Sequence, residues 1–197
     1  MVGNGVNYRI GWDNLDIWYN MSDKGTAVEF NAQSLPTPVP GETIVLVWFA
    51  SVGTAKDTQM ACGFRDKWND FKAKNVRIIG ICMDESIGSI NQWIQEQDLQ
   101  FDIYLIPDAE LAVEYYAATN MGQVFLTHTV NIIRGDPEVP METSMETITV
   151  TPSMTESISE KVYEKITEAS SAGHTWRYGF CPRDVTGENY YYYDDRK

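Results

Sequence analysis

Positive charge is scarce in this chain relative to negative. Fifteen Lys and Arg stand against 28 Asp and Glu, for a formal charge of -13 and a pI near 4.5. Binding to phosphate backbones or anionic lipid draws on clustered cations that release counterions, and no basic patch is readable here. Nucleic acid and membrane surfaces are therefore not expected partners. Histidine is scarcer still, with His128 and His174 alone and neither at metal-ligand spacing from a second ligand. The three cysteines, Cys62, Cys82 and Cys181, form no Cys-x-x-Cys pair and no zinc pattern. That odd, sparse set fits a reducing compartment better than a disulfide scaffold. No apolar stretch approaches the length of a membrane-spanning helix, and the first residues, Met1-Val-Gly-Asn-Gly-Val-Asn7, lack a charged start and an apolar run. The expectation is a soluble intracellular protein, cytoplasmic by default, without membrane insertion, cofactor or metal. A Gly-rich phosphate loop is missing too, because Ala50-Ser-Val-Gly-Thr54 has neither of the spacings that cradle nucleotides.

What is present suffices for a core. The chain has 197 residues, 43% of them hydrophobic, and a domain of that size buries roughly 70% of the surface its unfolded form exposes. Residues Tyr8 to Asn31 alternate apolar and polar groups around Asp23-Lys24-Gly25, the pattern of a hairpin. The prolines of Leu35-Pro-Thr-Pro-Val-Pro-Gly41 make a connector. Thr43 to Phe49 is apolar without alternation, as a strand buried on both faces of a parallel sheet requires. Ala61, Phe64, Trp68 and Phe71 recur at helical intervals and predict one amphipathic helix over Thr58 to Lys74. Trp68 and Trp93 are read as core on helix faces.

A second buried strand is predicted at Val76 to Met83, followed by a helix capped by Ser86 that carries Ile87, Ile90 and Ile94. Phe101 to Ile106 reads as a third strand, Pro107-Asp108 as a turn and Leu111 to Ala118 as a short helix. Gln123 to Ile133 reads as one long strand with His128 inside it in a structural role, pairing as a hairpin with a strand at Thr147 to Thr151. Ser153-Met-Thr-Glu156 has the form of a capping box before a helix bearing Ile158, Val162 and Ile166. Alternating buried strands and amphipathic helices argue for an α/β fold, and the closing antiparallel pair makes its sheet mixed.

Three stretches resemble the peroxiredoxins of the thioredoxin-fold superfamily, most closely the bacterioferritin-comigratory or Q-type group of the AhpC/TSA proteins. They are Thr54-Ala-Lys-Asp-Thr-Gln-Met-Ala-Cys-Gly-Phe-Arg-Asp66, Asn75-Val-Arg-Ile-Ile-Gly-Ile-Cys-Met-Asp84 and Phe101-Asp-Ile-Tyr-Leu-Ile-Pro-Asp108. The resemblance implies a thioredoxin-like mixed sheet with helices on both faces. Here it would carry an N-terminal hairpin and connector over 1–41, a core over 42–170 and a C-terminal tail over 171–197.

The resemblance also implies where chemistry would sit. Peroxiredoxins open the active helix with Pro-x-x-x-Thr/Ser-x-x-Cys, where the helix dipole and a distant Arg activate the thiol. Aligned on that pattern, the Pro position is Ala50, the Thr position Thr54, the reactive cysteine Asp57, and the Arg falls near Thr127. Only Thr54 keeps the family's residue. A carboxylate cannot become a sulfenic acid, so peroxidase activity is not expected. Asp57 is read as a helix N-cap, or alternatively as a mimic of the anionic thiolate that fixes one loop conformation. Cys62 stands where Q-type members often carry a resolving cysteine, and Cys181-Pro182 has a weak likeness to the C-terminal cysteine of two-cysteine members. These two are the candidate redox residues, while Cys82 is read as core. The resemblance implies self-association or a protein partner, for which Tyr190, Tyr191, Tyr192 and Tyr193 are the candidate contact run. The expected function is a non-catalytic structural or interaction subunit. The alternative is a divergent thiol-dependent oxidoreductase using Cys62 or Cys181.

Overall fold

The computed structural model describes residues 24–30, 35–83, 85–106, 109–115, 117–120, 124–138 and 143–171. The first arm of the expected hairpin, the Pro107-Asp108 turn, Cys181, His174 and the tyrosine run lie outside them.

The unbroken apolar run at the start of the core has the predicted cause. Strand β2 (Thr43–Trp48) sits between the parallel β3 (Val76–Cys82) and the antiparallel β7 (Thr129–Gly135), and its pleat feeds two separate cores. Val45, Val47 and Phe49 join one cluster; Ile44, Leu46 and Trp48 join the other. With both faces covered, no position from Ile44 to Trp48 is left for a polar side chain. The full sheet runs β1-β4-β3-β2-β7-β8, where β1 is Ala27–Glu29, β4 is Asp102–Leu105 and β8 is Thr143–Thr149. Strands β1 to β4 are mutually parallel where they pair, and β7 runs antiparallel to both its neighbours, β2 and β8, so the sheet is mixed as expected.

The chain steps from β2 to β3 to β4 in one direction across the sheet. Right-handed crossovers then put both connections on the same face. Helices α1 (Ala55–Asp66) and α2 (Trp68–Ala73) make the first and α3 (Ile87–Gln97) the second, and all three pack into the cluster that holds Val45 and Val47. The final helix, α5 (Ile158–Ser171), covers the same face through Ile158, Val162 and Ile166. The short α4 (Ala109–Glu114) lies on the other, with Leu111 and Ala112 against Ile44, Leu46 and Trp48. Asn131 supplies the polar link on that face. It accepts from Trp48 Nε1 at 2.6 Å and donates to the Tyr115 carbonyl at 3.0 Å and to Thr147 Oγ1 at 2.9 Å.

Several sequence expectations need correction. The arm after Asp23-Lys24-Gly25 is strand β1, but its partner is β4, parallel and 76 residues away. Gly25 is fitted to this seat: its amide donates to the Leu99 carbonyl, and a Cβ there would stand 1.9 Å from the Phe101 oxygen. The helix predicted over Thr58 to Lys74 begins at Ala55 and is divided at Lys67, whose φ of -100° and ψ of 11° leave helical geometry. The periodicity hides this break because Phe64 and Phe71 remain in one core, their ring centroids 5.8 Å apart. The helix predicted to reach Ala118 ends at Glu114, and Ala118 belongs to the small antiparallel pair β5 (Ala118–Asn120) and β6 (Val124–Leu126). The single strand expected over Gln123 to Ile133 is thus β6 and β7, joined through Thr127 and His128. Strand β8 starts four residues earlier than Thr147, where Thr143 pairs with Gly135. Ser153 does not cap α5. It lies in a 3₁₀ turn over Pro152–Met154 and bonds Thr151 Oγ1, while Glu156 accepts from Gln59 of α1.

Gly135, at the end of β7, lies so close to the connector that a Cβ would meet the Val39 carbonyl oxygen at 2.3 Å. Backbone atoms cannot swing aside as a side chain can. Gly135→Ala should therefore lower stability by about 1–3 kcal/mol, read from the midpoint of urea denaturation.

Candidate functional site

The ends of the parallel strands and the start of the antiparallel one meet at a single edge of the sheet. Ligand sites of open α/β sheets form there, outside the carboxyl ends of the strands. Here β2 ends at Trp48 and β3 at Cys82, and β7 begins just after His128. The loop 50–54 crosses this edge and feeds α1.

Thr54 opens the helix. Its backbone is extended, with φ -71° and ψ 154°, and its Oγ1 accepts the Asp57 amide at 3.2 Å. Threonine serves here because a short hydroxyl side chain can fold back onto an orphan amide of the first turn. The expectation that Asp57 is the N-cap is thus corrected: Asp57 is the third residue inside the helix. That inward step buries it. The residue has 0% exposure, and its carboxylate is fully engaged. Oδ1 accepts from the Ala50 amide at 3.1 Å and lies 2.9 Å from His128 Nε2, and Oδ2 accepts from the Thr54 hydroxyl. A buried carboxylate persists only when such donors replace the water it has lost.

A second carboxylate braces the loop from the other side. Glu85 Oε1 accepts the Ser51 hydroxyl at 3.0 Å and the Val52 amide at 3.3 Å. Gly53, at φ +82°, supplies the left-handed turn between these anchors and Thr54. Cys82 lies at the end of β3 in this neighbourhood. Burial pushes its thiol up to about 12, and the nearby Glu85 and Asp57 carboxylates add to the rise.

Of the residues singled out from the sequence, Ala50, Thr54 and Asp57 are brought together. Thr127 is not. Its hydroxyl donates to the Ala117 carbonyl at 3.1 Å and lies 3.1 Å from Thr129 Oγ1. The side chain that reaches Asp57 belongs to the next residue, His128, which was expected inside a strand with a structural role. Cys62 is half-buried one turn further along α1, its Sγ 3.6 Å from Gln97 Oε1 of α3. Cys82 and Trp93 are core, as expected, and Trp68 packs half-buried against it. Among the described residues no three His, Cys, Asp or Glu are gathered as metal ligands, and no helix is long and apolar enough to cross a membrane.

A mixed sheet with helices on both faces, and a helix N-terminus set at the carboxyl ends of its parallel strands, defines a thioredoxin-like protein of the peroxiredoxin type. Residues 22–136 match the AhpC/TSA family, and the chain belongs to it. Among solved structures it is similar to a PrxQ mutant of Xylella fastidiosa, with a TM-score of 0.53 and 16% identity over 76% of this chain and 99% of that one. The peroxidoxin BcpB of Mycobacterium tuberculosis is similar at a TM-score of 0.52 and 15% identity, over 64% of this chain and 79% of the other. At such identities the likeness is one of fold. No curated protein matches the sequence.

Two outcomes follow from the geometry. Asp57→Asn keeps the shape but sets an amide donor against a donor, so it should cost about 1–3 kcal/mol in urea denaturation. In a Cys181→Ser background, a thiol reagent at about pH 8 should label Cys62 in the native protein and Cys82 only after denaturation. The fold holds the Cys82 thiol neutral, whereas the unfolded thiol ionises near its ordinary 9.0. The stability this residue contributes is therefore complete below about pH 9 and lost as the pH rises toward about 12.

Proposed function

We propose that this chain is a non-catalytic member of its family that acts as a structural or interaction subunit. One observation carries the reading. In the alignment on the peroxiredoxin loop, Asp57 takes the position of the reactive cysteine, and this side chain is fully buried with its oxygens occupied by Ala50, Thr54 and His128. Carboxylate oxygen offers no sulfur to oxidise, so the first step of peroxide reduction, formation of a sulfenic acid, has no atom on which to occur. The remaining pieces of that pattern agree. Ala50 stands at the Pro position, and Thr127, aligned near the Arg position, turns its hydroxyl to Ala117 and Thr129.

Assembly is the function that a maintained scaffold without this chemistry supports. The acidic surface and the tyrosine run Tyr190 to Tyr193 are the features suited to a protein partner or to a second copy of the chain. Cys62 keeps a second reading in view, because it is partly exposed on the same helix five residues beyond Asp57. In that reading a divergent thiol oxidoreductase works through Cys62 or Cys181.

Purified protein with dithiothreitol should consume hydrogen peroxide no faster than dithiothreitol alone. Consumption that Cys62→Ser or Cys181→Ser abolishes would establish the oxidoreductase instead. Sedimentation of the full chain should show an assembly that weakens when the Tyr190 to Tyr193 run is replaced by serine. A monomer at all concentrations, unaffected by the replacement, counts against self-association through the run.

A further inference from the structure

The two edges of the sheet are finished differently. β1 is three residues long and ends in the exposed Glu29, and its Ala27 amide donates to Asn91 Oδ1 of α3 at 2.9 Å. Short length, charge and cover from a neighbouring helix are the usual means of closing an edge to further strands. β8 is not closed in this way. It pairs with β7 without a break over seven residues, contains no proline or lysine, and among the described residues has no strand on its other side.

The direction of its main-chain groups follows from one bond. The Val150 amide donates to the His128 carbonyl, so Ile148, Glu146 and Ser144 also turn their main-chain groups toward β7, and the residues between them turn away. Thr143, Met145 and Thr149 therefore present amides and carbonyls outward along one line. Charge raises no barrier there. The one charged residue of β8, Glu146, is bonded by Lys165 of α5, and its other oxygen lies 3.6 Å from Arg134 of β7. An acidic chain approaching this edge meets no uncompensated negative charge on the strand.

One segment of this chain has the matching chemistry. Tyr190 to Tyr193 lie beyond α5 and outside the described residues. Tyrosine favours strands, and aromatic side chains pair well across strands with β-branched ones such as Thr143 and Thr149. Where the tail leaves the fold decides whose edge it takes. α5 begins shortly after β8 and its Lys165 meets Glu146, so α5 runs back along β8 and Ser171 lies toward the Thr143 end. A strand drawn straight from there along the same β8 would be parallel to it, with α5 as the crossover. The right-handed crossovers from β2 to β3 and β4 lie over this same face and step toward β1. Because β8 points the same way as β2, a crossover stepping away from β1 over that face is left-handed. Sheets avoid that hand. Residues 172–189, which can span up to about 60 Å, are long enough to reach a neighbouring copy instead.

We propose that Tyr190 to Tyr193 of one copy add as a strand to the outer edge of β8 in a second copy, and that two copies exchange tails in this way about a two-fold axis. This rests on the reading of the tyrosine run as a contact surface and names the surface it contacts. Reciprocal exchange closes the assembly at two copies and covers the outer edge of β8 in each.

Sedimentation and amide hydrogen exchange of the full chain test this together. At concentrations where the chain is a dimer, protection of the outward Met145 amide should exceed that in the diluted monomer about tenfold or more, with the inward Ser144 amide little changed. Replacing Tyr190 to Tyr193 by serine should raise the dimer dissociation constant about tenfold or more, and so should Thr143→Pro combined with Thr149→Pro, which removes outward amides only. Mixed together, the two variants should form a heterodimer that neither forms alone, one supplying the tail and the other the edge. Should the proline variant not fold, the Met145 amide decides, since its protection must rise with concentration and be lost in the serine variant. Met145 protection that is the same at all concentrations in a monomer puts the tail on its own copy and overturns the exchange. A dimer that the serine variant weakens, but whose Met145 amide is no better protected than the monomer's, overturns the docking and leaves the tyrosine run as a contact surface. A monomer at every concentration overturns both.

Discussion

A carboxylate with no exposed surface sits where β2, α1 and β7 converge, and the arrangement of that end of the molecule follows from the need to satisfy it. Water would have solvated Asp57 in the unfolded chain. In the fold three donors replace it, and each fixes a different piece of backbone. The Ala50 amide sets where β2 ends, the Thr54 hydroxyl sets where α1 begins, and His128 holds the chain that enters β7. Losing any one would leave a buried acceptor short of a partner, so the three segments hold their positions jointly.

That convergence is possible only because the sheet beneath it is rigid. β2 is buried on both faces and paired on both edges, parallel to β3 and antiparallel to β7. Its two cores are packed by different parts of the chain, α1, α2, α3 and α5 on one side and α4 on the other. The β2–β7 register, with Trp48 opposite Thr129, brings His128 level with the start of the loop. A one-residue slip would turn every side chain of β7 to the opposite face and carry His128 away from Asp57. The site geometry is thus a consequence of strand register.

Much of this was legible in the sequence where local chemistry and burial agree. The apolar runs at Thr43 to Phe49 and Val76 to Met83 read as strands covered on both faces, and β2 and β3 lie within them, each feeding both clusters. Ser86 caps α3 through its Oγ, and Ile158, Val162 and Ile166 line the buried face of α5. Thr54 and Asp57 stood out by their place in a recognisable loop. Legibility failed where a remote partner overrides a local pattern. The alternation around Asp23-Lys24-Gly25 reads as a hairpin, but the edge of β4 captured its second arm. Ser153 and Glu156 have capping-box spacing, yet each found another partner in Thr151 and Gln59.

The sequence by itself determined the strands of the central sheet and the helices that cover it, because periodicity and side-chain type are local properties. Only the tertiary structure decided what Asp57 does. Whether a carboxylate three residues into a helix faces solvent or the interior, and whether Thr127 or His128 reaches it across 71 residues, depends on strand register and burial. Neither is written in the spacing of nearby residues.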